Sequence, residues 1–197
     1  MNARRMEAEI VRDSVLAVGG RLDRRMGGPE IGEDQAQPVP RRSVYFRHAP
    51  EKHAQFLAMF DSASTHECYR RVETVVPQQA LAMANSRLTR EQSRQLASQL
   101  SSGSEPPAAG DDLAASNAAF VRVAFERILC RPPTPAEVES CVQFLADQAV
   151  RLAQVREEGS SAEAKDISVA PAADPRARAR ESLVHVLLNH NEFITIR

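Results

Sequence analysis

The chain has 197 residues, of which 43% are hydrophobic and 26% charged, and this composition excludes a largely disordered or low-complexity protein. Its net charge of -1 provides no bulk field to attract nucleic acid or an anionic membrane, so we expect neither partner. No apolar run reaches the roughly 20 residues that span a bilayer, and the first residues lack the apolar core of a signal peptide. We therefore expect no membrane span and no signal peptide in this chain.

The sequence of the first hundred residues predicts that this part of the chain is helical with one short extended segment. Apolar residues recur at helical spacing from Arg4 to Val18, and Gly19-Gly20 is expected to end that helix. Irregular sequence over 21–40 leads to a short β-prone run from Arg41 to Arg47, which predicts a strand or an extended segment. A short helix with a bulky apolar face is predicted over 51–61.

A long helix with an interruption completes this part, which we place at residues 1–100. Proline is favoured in a first helical turn, so a helix is expected to begin near Pro77. Asn85-Ser86 breaks the apolar pattern, and a second helix is expected to follow it as far as Leu100, with Thr89 as its N-cap. The small and polar residues of 101–111 predict a flexible linker.

Residues 112–197 predict a three-helix unit. The tetrapeptide Thr134-Pro135-Ala136-Glu137 combines a capping threonine, a proline at the first helical position and a glutamate three residues after the cap. A helix is therefore expected to begin there, and a mobile tract is predicted over 159–175. The three helices are expected over 113–130, 135–157 and 176–189.

Motifs for familiar catalytic or cofactor chemistry are absent from the sequence. It contains no GxSxG, GxxxxGK[ST], HExxH or GxGxxG motif, and its three cysteines form no CxxC or CxxCH pair. His66-Glu67-Cys68 places an imidazole, a carboxylate and a thiol in one polar loop. Metal sites need three or four convergent ligands, and the other histidines are scattered. We therefore predict no metal site and no cofactor.

Polar residues between Asp61 and Asn85 form the candidate binding region. Arginine can bind a carboxylate through two parallel hydrogen bonds, so Arg71 and Asp61 are interpreted as an ion pair that closes a loop, with an anion-binding site as the alternative. Gln78 and Gln79 lie with Asn85 on the following predicted helix. We expect them to form a polar cluster that fixes the register of the core, with a ligand-binding face as the alternative. The candidate residues are Asp61, Arg71, Thr74, Gln78, Gln79 and Asn85.

Several segments carry a resemblance to a known family over nearly the whole chain. They are Arg4–Glu9, Arg12-Asp13, Gly19–Asp23, Met26–Pro29, Arg41–Tyr45, Phe60-Asp61, Arg71, Thr74, Pro77–Leu81, Asn85-Ser86, Arg131–Glu137, Leu187–Asn189 and Asn191–Phe193. Together they resemble the domain of unknown function 1553, the C-terminal domain of large planctomycete-type proteins that often carry c-type cytochrome modules.

The resemblance implies a context rather than a reaction. The family has no established activity or catalytic residue to transfer to this chain. Its members usually have sequence ahead of the first helix here and often an exported part with CxxCH haem motifs. This chain has neither, so the resemblance assigns it no haem, and it implies an exported or periplasmic setting only if the family context holds. Because charged and helical sequence begins almost at residue 1, we expect the chain to be the C-terminal part of something longer. The closing helical unit also looks like short helical modules of bacterial surface and matrix proteins.

These observations favour a non-catalytic interaction or scaffold module that binds a protein partner or neighbouring domains of a longer chain. The first alternative is an enzyme, a hydrolase acting on complex carbohydrate, with Asp61, His66 and Glu67 in its site. The second alternative is an intracellular regulatory fragment. Convergence of the candidate residues in a concave pocket would favour the enzyme, whereas mutual hydrogen bonding and burial would favour the interaction module.

Overall fold

The computed structural model describes residues 4–36, 38–50, 54–64, 77–102, 113–157 and 168–196. These ranges are mostly helical, which confirms the predicted mainly α fold class. The chain divides into two compact units, Met1–Leu88 with Ile194–Arg197 and Thr89–Phe193. Residues 103–111 of the predicted linker (101–111) and residues 159–167 of the predicted mobile tract (159–175) lie outside the described residues, so both remain predictions.

The first unit contains three helices and a two-stranded sheet among its described residues. The elements are β1 (Arg4–Arg5), α1 (Ala8–Val18), α2 (Gln55–Met59), α3 (Pro77–Asn85) and β2 (Thr195–Ile196). β1 and β2 pair antiparallel. The helix expected from Arg4 begins only at Ala8, because the backbone of the preceding residues is used in this sheet.

The core of the first unit lies between α1 and α2. Val11 and Val15 stand one helical turn apart on α1 and are fully buried. On α2 and just after it, the rings of Phe56 and Phe60 stack with centroids 4.9 Å apart, and both side chains are buried. α1 ends as predicted, with Gly20 in the left-handed region at φ 75°. These contacts place the end of α2 next to the sheet and α3.

The segment Arg41–Arg47, predicted to be extended, is interrupted by a 3-10 turn at Ser43–Tyr45. Only its ends form parallel bridges, Asp23 with Arg41 and Ile31 with Phe46. The turn forms because the backbone N–H and the hydroxyl of Ser43 both donate to Asp13 Oδ1 on α1, at 2.9 and 2.7 Å. A hydrogen bond to a distant helix therefore overrides the local β propensity.

A buried guanidinium holds this loop region on α1. Arg12 is only 3% exposed, and its Nη2 donates to the carbonyl oxygens of Ala36 and Val39, both at 2.8 Å. Its Nη1 donates to the carbonyl oxygen of Arg41 at 2.9 Å, and the group lies 4.5 Å from the Phe46 ring centroid. Burial lowers the pKa of Arg12 to about 10, opposed by the neighbouring carboxylate of Asp13, so the side chain stays charged at neutral pH.

We expect Arg12→Ala to destabilise the protein by about 3 to 5 kcal/mol, because it leaves three carbonyl oxygens without their donor and the Asp13 carboxylate without its neighbouring cation. Urea denaturation followed by circular dichroism measures the change. Arg122→Ala, at an exposed position on another helix, is the control and should change stability by no more than about 0.5 kcal/mol. Equal stability of the two variants would contradict the structural role of Arg12.

Among the described residues of the second unit, the regular secondary structure is helical. Its elements are α4 (Arg87–Ser102, with Thr89 onward in this unit), α5 (Leu113–Leu129), α6 (Pro135–Glu157), α7 (Pro175–Leu188) and α8 (Asn191–Ile194, as far as Phe193 in this unit). α5, α6 and α7 pack against one another, as predicted. The break near Asn85 is also confirmed, but Thr89 is not an N-cap, because it lies inside α4 and is fully buried. No helix of the described residues is long and apolar enough to cross a membrane.

The predicted capping box opens α6. The Thr134 hydroxyl accepts from the Glu137 N–H at 3.3 Å, and Glu137 Oε2 accepts from the Thr134 N–H at 2.7 Å. Arg131 adds a bidentate pair with Glu137 and a 2.7 Å contact with Glu192 of α8. Hydrogen bonds from Arg131 and from the Thr134 N–H lower the pKa of Glu137 to about 2. The start of α6 and the end of the unit are thereby joined.

Glu137→Gln should remove the ion pair with Arg131 while an amide oxygen still accepts at the cap. We expect a loss of about 1 kcal/mol at pH 7, after allowance for side chains that are about a third exposed. Because the pKa of Glu137 is lower in the folded state, this stabilisation is present above the ordinary pKa of 4.5 and is lost as the pH falls towards 2. Urea denaturation between pH 7 and pH 2.5 should show the two proteins converging at acid pH. A constant difference would contradict the assignment.

Thr134→Ala tests the cap itself. Loss of the side-chain oxygen at the N-cap should destabilise the protein by about 0.5 to 2 kcal/mol. Thermal denaturation measures it, and Thr134→Ser, which keeps the hydroxyl, should retain most of the stability. An unchanged melting curve for the alanine variant would show that the cap contributes nothing.

Candidate functional site

Asp61 lies at a tight reversal of the chain directly after α2. Its backbone has φ 58°, in the left-handed region, which aspartate adopts more readily than most residues. The N–H groups of Phe60 and Ser62 both donate to the carbonyl oxygen of Leu57, at 3.0 and 3.2 Å, and close this turn. The reversal directs the carboxylate towards β1 and α3, where its partners lie.

Asp61 forms a hydrogen-bonded cluster with Arg5 and Gln79. One guanidinium nitrogen of Arg5 donates to Asp61 Oδ2 and the other donates to Gln79 Oε1. The Gln79 amide nitrogen donates to the same Asp61 oxygen at 3.2 Å. Each of the three side chains therefore contacts both of the others, and these bonds fix the orientation of the Gln79 amide.

The cluster joins three segments that are distant in sequence. Arg5 belongs to β1, Asp61 follows α2 and Gln79 lies in the first turn of α3. The side chains of Arg5 and Asp61 are each 19% exposed, and Gln79 is 7% exposed. Opposite charges thus meet in a largely dehydrated place, where a charge-assisted hydrogen bond is stronger than at the surface. Chemically, the arrangement pairs the Arg5 guanidinium with the Asp61 carboxylate and orients the Gln79 amide.

The structure brings together two of the six predicted site residues, Asp61 and Gln79. Arg71 and Thr74 lie outside the described residues, as does the side chain of Gln78, so the Asp61–Arg71 pair remains a prediction. Asn85 is exposed at the end of α3, six residues after Gln79, which corresponds to about 9 Å along a helix and about 120° around it. It is therefore not part of the cluster.

Arg5 is the member of the cluster that sequence reasoning missed. It occurs in a charged stretch before α1 that the periodicity assigned to the helix predicted from Arg4 to Val18. The adjacent pair Arg4-Arg5 could have indicated it. Side chains alternate between the two faces of a strand, so in a strand one of these two arginines faces the protein. Which partner the inward side chain meets depends on the fold and not on the local sequence.

The predicted absence of a metal site is not overturned in the described part of the chain. No group of three or more histidine, cysteine, aspartate or glutamate side chains there could hold a metal ion. His66, Glu67 and Cys68 lie outside the described residues, so the polar loop that they form in the sequence is not included in this statement.

The family follows from a match over most of the chain. The model of the PSD1 proteins of unknown function (DUF1553) matches residues 1–145, which include all three members of the cluster and the elements from β1 into α6. The chain belongs to this family. No curated protein and no solved structure matches it. The DUF1553 assignment confirms the resemblance seen in the sequence, and its description names no activity.

A double-mutant cycle tests the cluster. We expect Arg5→Ala and Asp61→Ala each to destabilise the protein, and the double variant to recover part of the summed loss, with a coupling free energy of about 0.5 to 3 kcal/mol. Asn85→Ala, at an exposed position on α3, is the control and should stay within about 0.5 kcal/mol of the parent. Urea denaturation measures all four variants. Strictly additive losses would show that the pair does not stabilise the fold.

Proposed function

We propose that the protein is a non-catalytic interaction or scaffold module of a larger, exported bacterial protein assembly. Its partner is a protein or a neighbouring domain of a longer chain. The observation that carries the proposal is the cluster of Arg5, Asp61 and Gln79, in which the three side chains hydrogen-bond one another. A general acid or base must instead reach the reacting group of a substrate.

Exposed apolar side chains in the first unit also support an interaction role. Met26 is 89% exposed and Val44 is 67% exposed, although the same unit buries residues as large as Phe60. Single exposed apolar residues are ordinary on protein surfaces. An exposed apolar residue on a loop of fixed conformation can contact a partner with little loss of conformational entropy on binding. Arg12 and Asp13 hold the segment that carries Val44 on α1, and Arg41 of that segment binds the backbone on both sides of Met26.

The wider setting is part of the same proposal. The architecture typical of DUF1553 proteins supports export and association with c-type cytochrome modules. The likeness of the closing helices to modules of bacterial surface and matrix proteins supports a structural role. In this proposal, any contact with carbohydrate is made by other members of the assembly. The hydrolase alternative predicts instead that this chain itself cleaves polysaccharide.

The first experiment separates these two outcomes. The purified protein is incubated with a panel of soluble and insoluble polysaccharides, and the release of reducing ends is measured beside the Asp61→Asn variant. We expect no release above that of the variant. Polysaccharide cleavage that Asp61→Asn abolishes, in a protein whose circular dichroism spectrum is unchanged, would overturn the proposal in favour of the hydrolase.

The second experiment tests the interaction directly. The tagged protein is isolated under native conditions from the cell that makes it, and its mass and composition are measured by native mass spectrometry. We expect a complex of fixed stoichiometry that survives dilution to about 1 μM, the affinity range of a specific interface. Recovery of the protein free of any partner would contradict the scaffold role.

A further inference from the structure

The loop formed by residues 23–31, here called the Met26 loop, is bound to the fold at both of its ends. The N–H of Asp23 donates to the carbonyl oxygen of Pro40 at 2.8 Å. At the other end, the N–H of Ile31 donates to the carbonyl oxygen of Tyr45 at 2.9 Å. Because the 40–46 segment is itself held by Arg12 on α1, the ends of the loop are fixed relative to the core.

The tip of the Met26 loop is held as firmly as its ends. Arg41 Nη2 donates to the carbonyl oxygens of Gly27 and Arg25, at 2.6 and 3.1 Å. The N–H of Gly27 donates to the Tyr45 hydroxyl at 2.9 Å, and the Arg41 guanidinium stacks 4.1 Å from the centroid of that ring. The peptide groups on both sides of Met26 therefore have defined partners.

Two glycines allow this close approach. Gly27 and Gly28 have φ 74° and 100°, values that side-chain-bearing residues rarely adopt. A Cβ atom on Gly28 would also lie 3.0 Å from Arg41 Nη1. The sequence thus maintains a specific loop shape, although all residues from Arg24 to Glu30 are exposed and add no side chain to the core.

Met26 is the residue that this shape presents. At 89% it has the largest exposed fraction among the large hydrophobic side chains of the described chain. A polar residue is equally compatible with an exposed loop tip, so the fold itself does not require methionine here. Methionine is unbranched and polarizable and adapts to irregular apolar pockets. An apolar side chain on a preorganised backbone can bind a partner with little loss of backbone conformational entropy.

Charge around the Met26 loop indicates the partner's chemistry. The segment 21–48 carries six arginines and four acidic residues, whereas the whole chain has a net charge of -1. Arg24 and Arg25 stand directly before Met26, and Arg25 is 87% exposed despite its 3.4 Å contact with Asp23. Exposed arginines next to an apolar side chain complement an apolar pocket bordered by carboxylates.

We propose that the Met26 loop is a docking loop that inserts Met26 into an apolar pocket rimmed by carboxylates on a partner protein. This inference rests on the interaction role proposed above and assigns that role to a particular surface. A protein pocket fits better than a lipid surface, because one methionine provides little apolar area for insertion into a bilayer.

Site-specific photo-crosslinking in the cell that makes the protein tests this inference. A diazirine-bearing amino acid replaces Met26 in one full-length variant and Val150 in a second. Val150 is the control because it is also apolar, is 59% exposed and lies on α6. The crosslinked peptides are identified by mass spectrometry. We expect the Met26 position to yield an adduct with one protein, at a site where apolar residues adjoin aspartate or glutamate, and the Val150 position to yield none with that site.

The other outcomes are distinguishable. Protein adducts from Val150 alone would overturn the docking loop while leaving the interaction role intact. Lipid adducts from Met26 would assign the loop to a membrane surface and overturn the proposal. Adducts from Met26 at uncharged or basic sites would overturn the proposed pocket. The absence of adducts from both positions would count against the docking loop and the interaction role together.

Affinity measurements with the partner captured in this way complete the test. Met26→Ser should raise the Kd about tenfold or more, whereas Met26→Leu, which keeps the apolar bulk, should change it by less than about threefold. Gly28→Ala alters the loop shape but keeps Met26, and it should also weaken binding by about tenfold. Gly32→Ala is the matched control, because a Cβ there meets nothing within 4 Å. Equal affinities for the two glycine variants would contradict a preorganised loop.

Discussion

The buried guanidinium of Arg12 is the interaction on which the loop structure of the first unit depends. It satisfies carbonyl oxygens of Ala36, Val39 and Arg41, in a region with little regular secondary structure. A buried loop normally carries unsatisfied peptide groups, and one planar cation with several donors removes that cost for three of them. The segment fixed in this way supports the Arg41 and Tyr45 side chains that hold the Met26 loop.

Arginine serves a similar purpose elsewhere in the protein. In the first unit Arg5 joins β1 to Asp61 and α3, and in the second unit Arg131 joins the start of α6 to Glu192. Also in the second unit, Arg180 bonds the hydroxyls of Ser101 and Ser116 and lies 4.8 Å from the Phe120 ring centroid. Lysine could not substitute at such positions, because its single ammonium lacks the planar fork that spans several acceptors.

The candidate site shows how far residue type alone can lead. An acidic residue after α2 and glutamines at the start of α3 were recognised as a polar group, and the structure joins Asp61 with Gln79. The sequence did not reveal that Arg5 completes the cluster, because 56 residues separate Arg5 from Asp61 and no local pattern connects them. It also grouped Asn85 with the site, although helical geometry places that residue further along α3 and on another face.

The sequence by itself determined those features whose hydrogen bonds close within a few residues. The capping box at Thr134 and Glu137, the helix start at Pro77 and the left-handed Gly20 are of this kind, because local backbone geometry and side-chain reach suffice to specify them. Only the tertiary structure decided that Arg4–Arg5 form a strand, that Ser43–Tyr45 turn and that Arg12 is buried. In each case a partner distant in the chain competes with local propensity, and the free energy of that long-range contact decides the outcome.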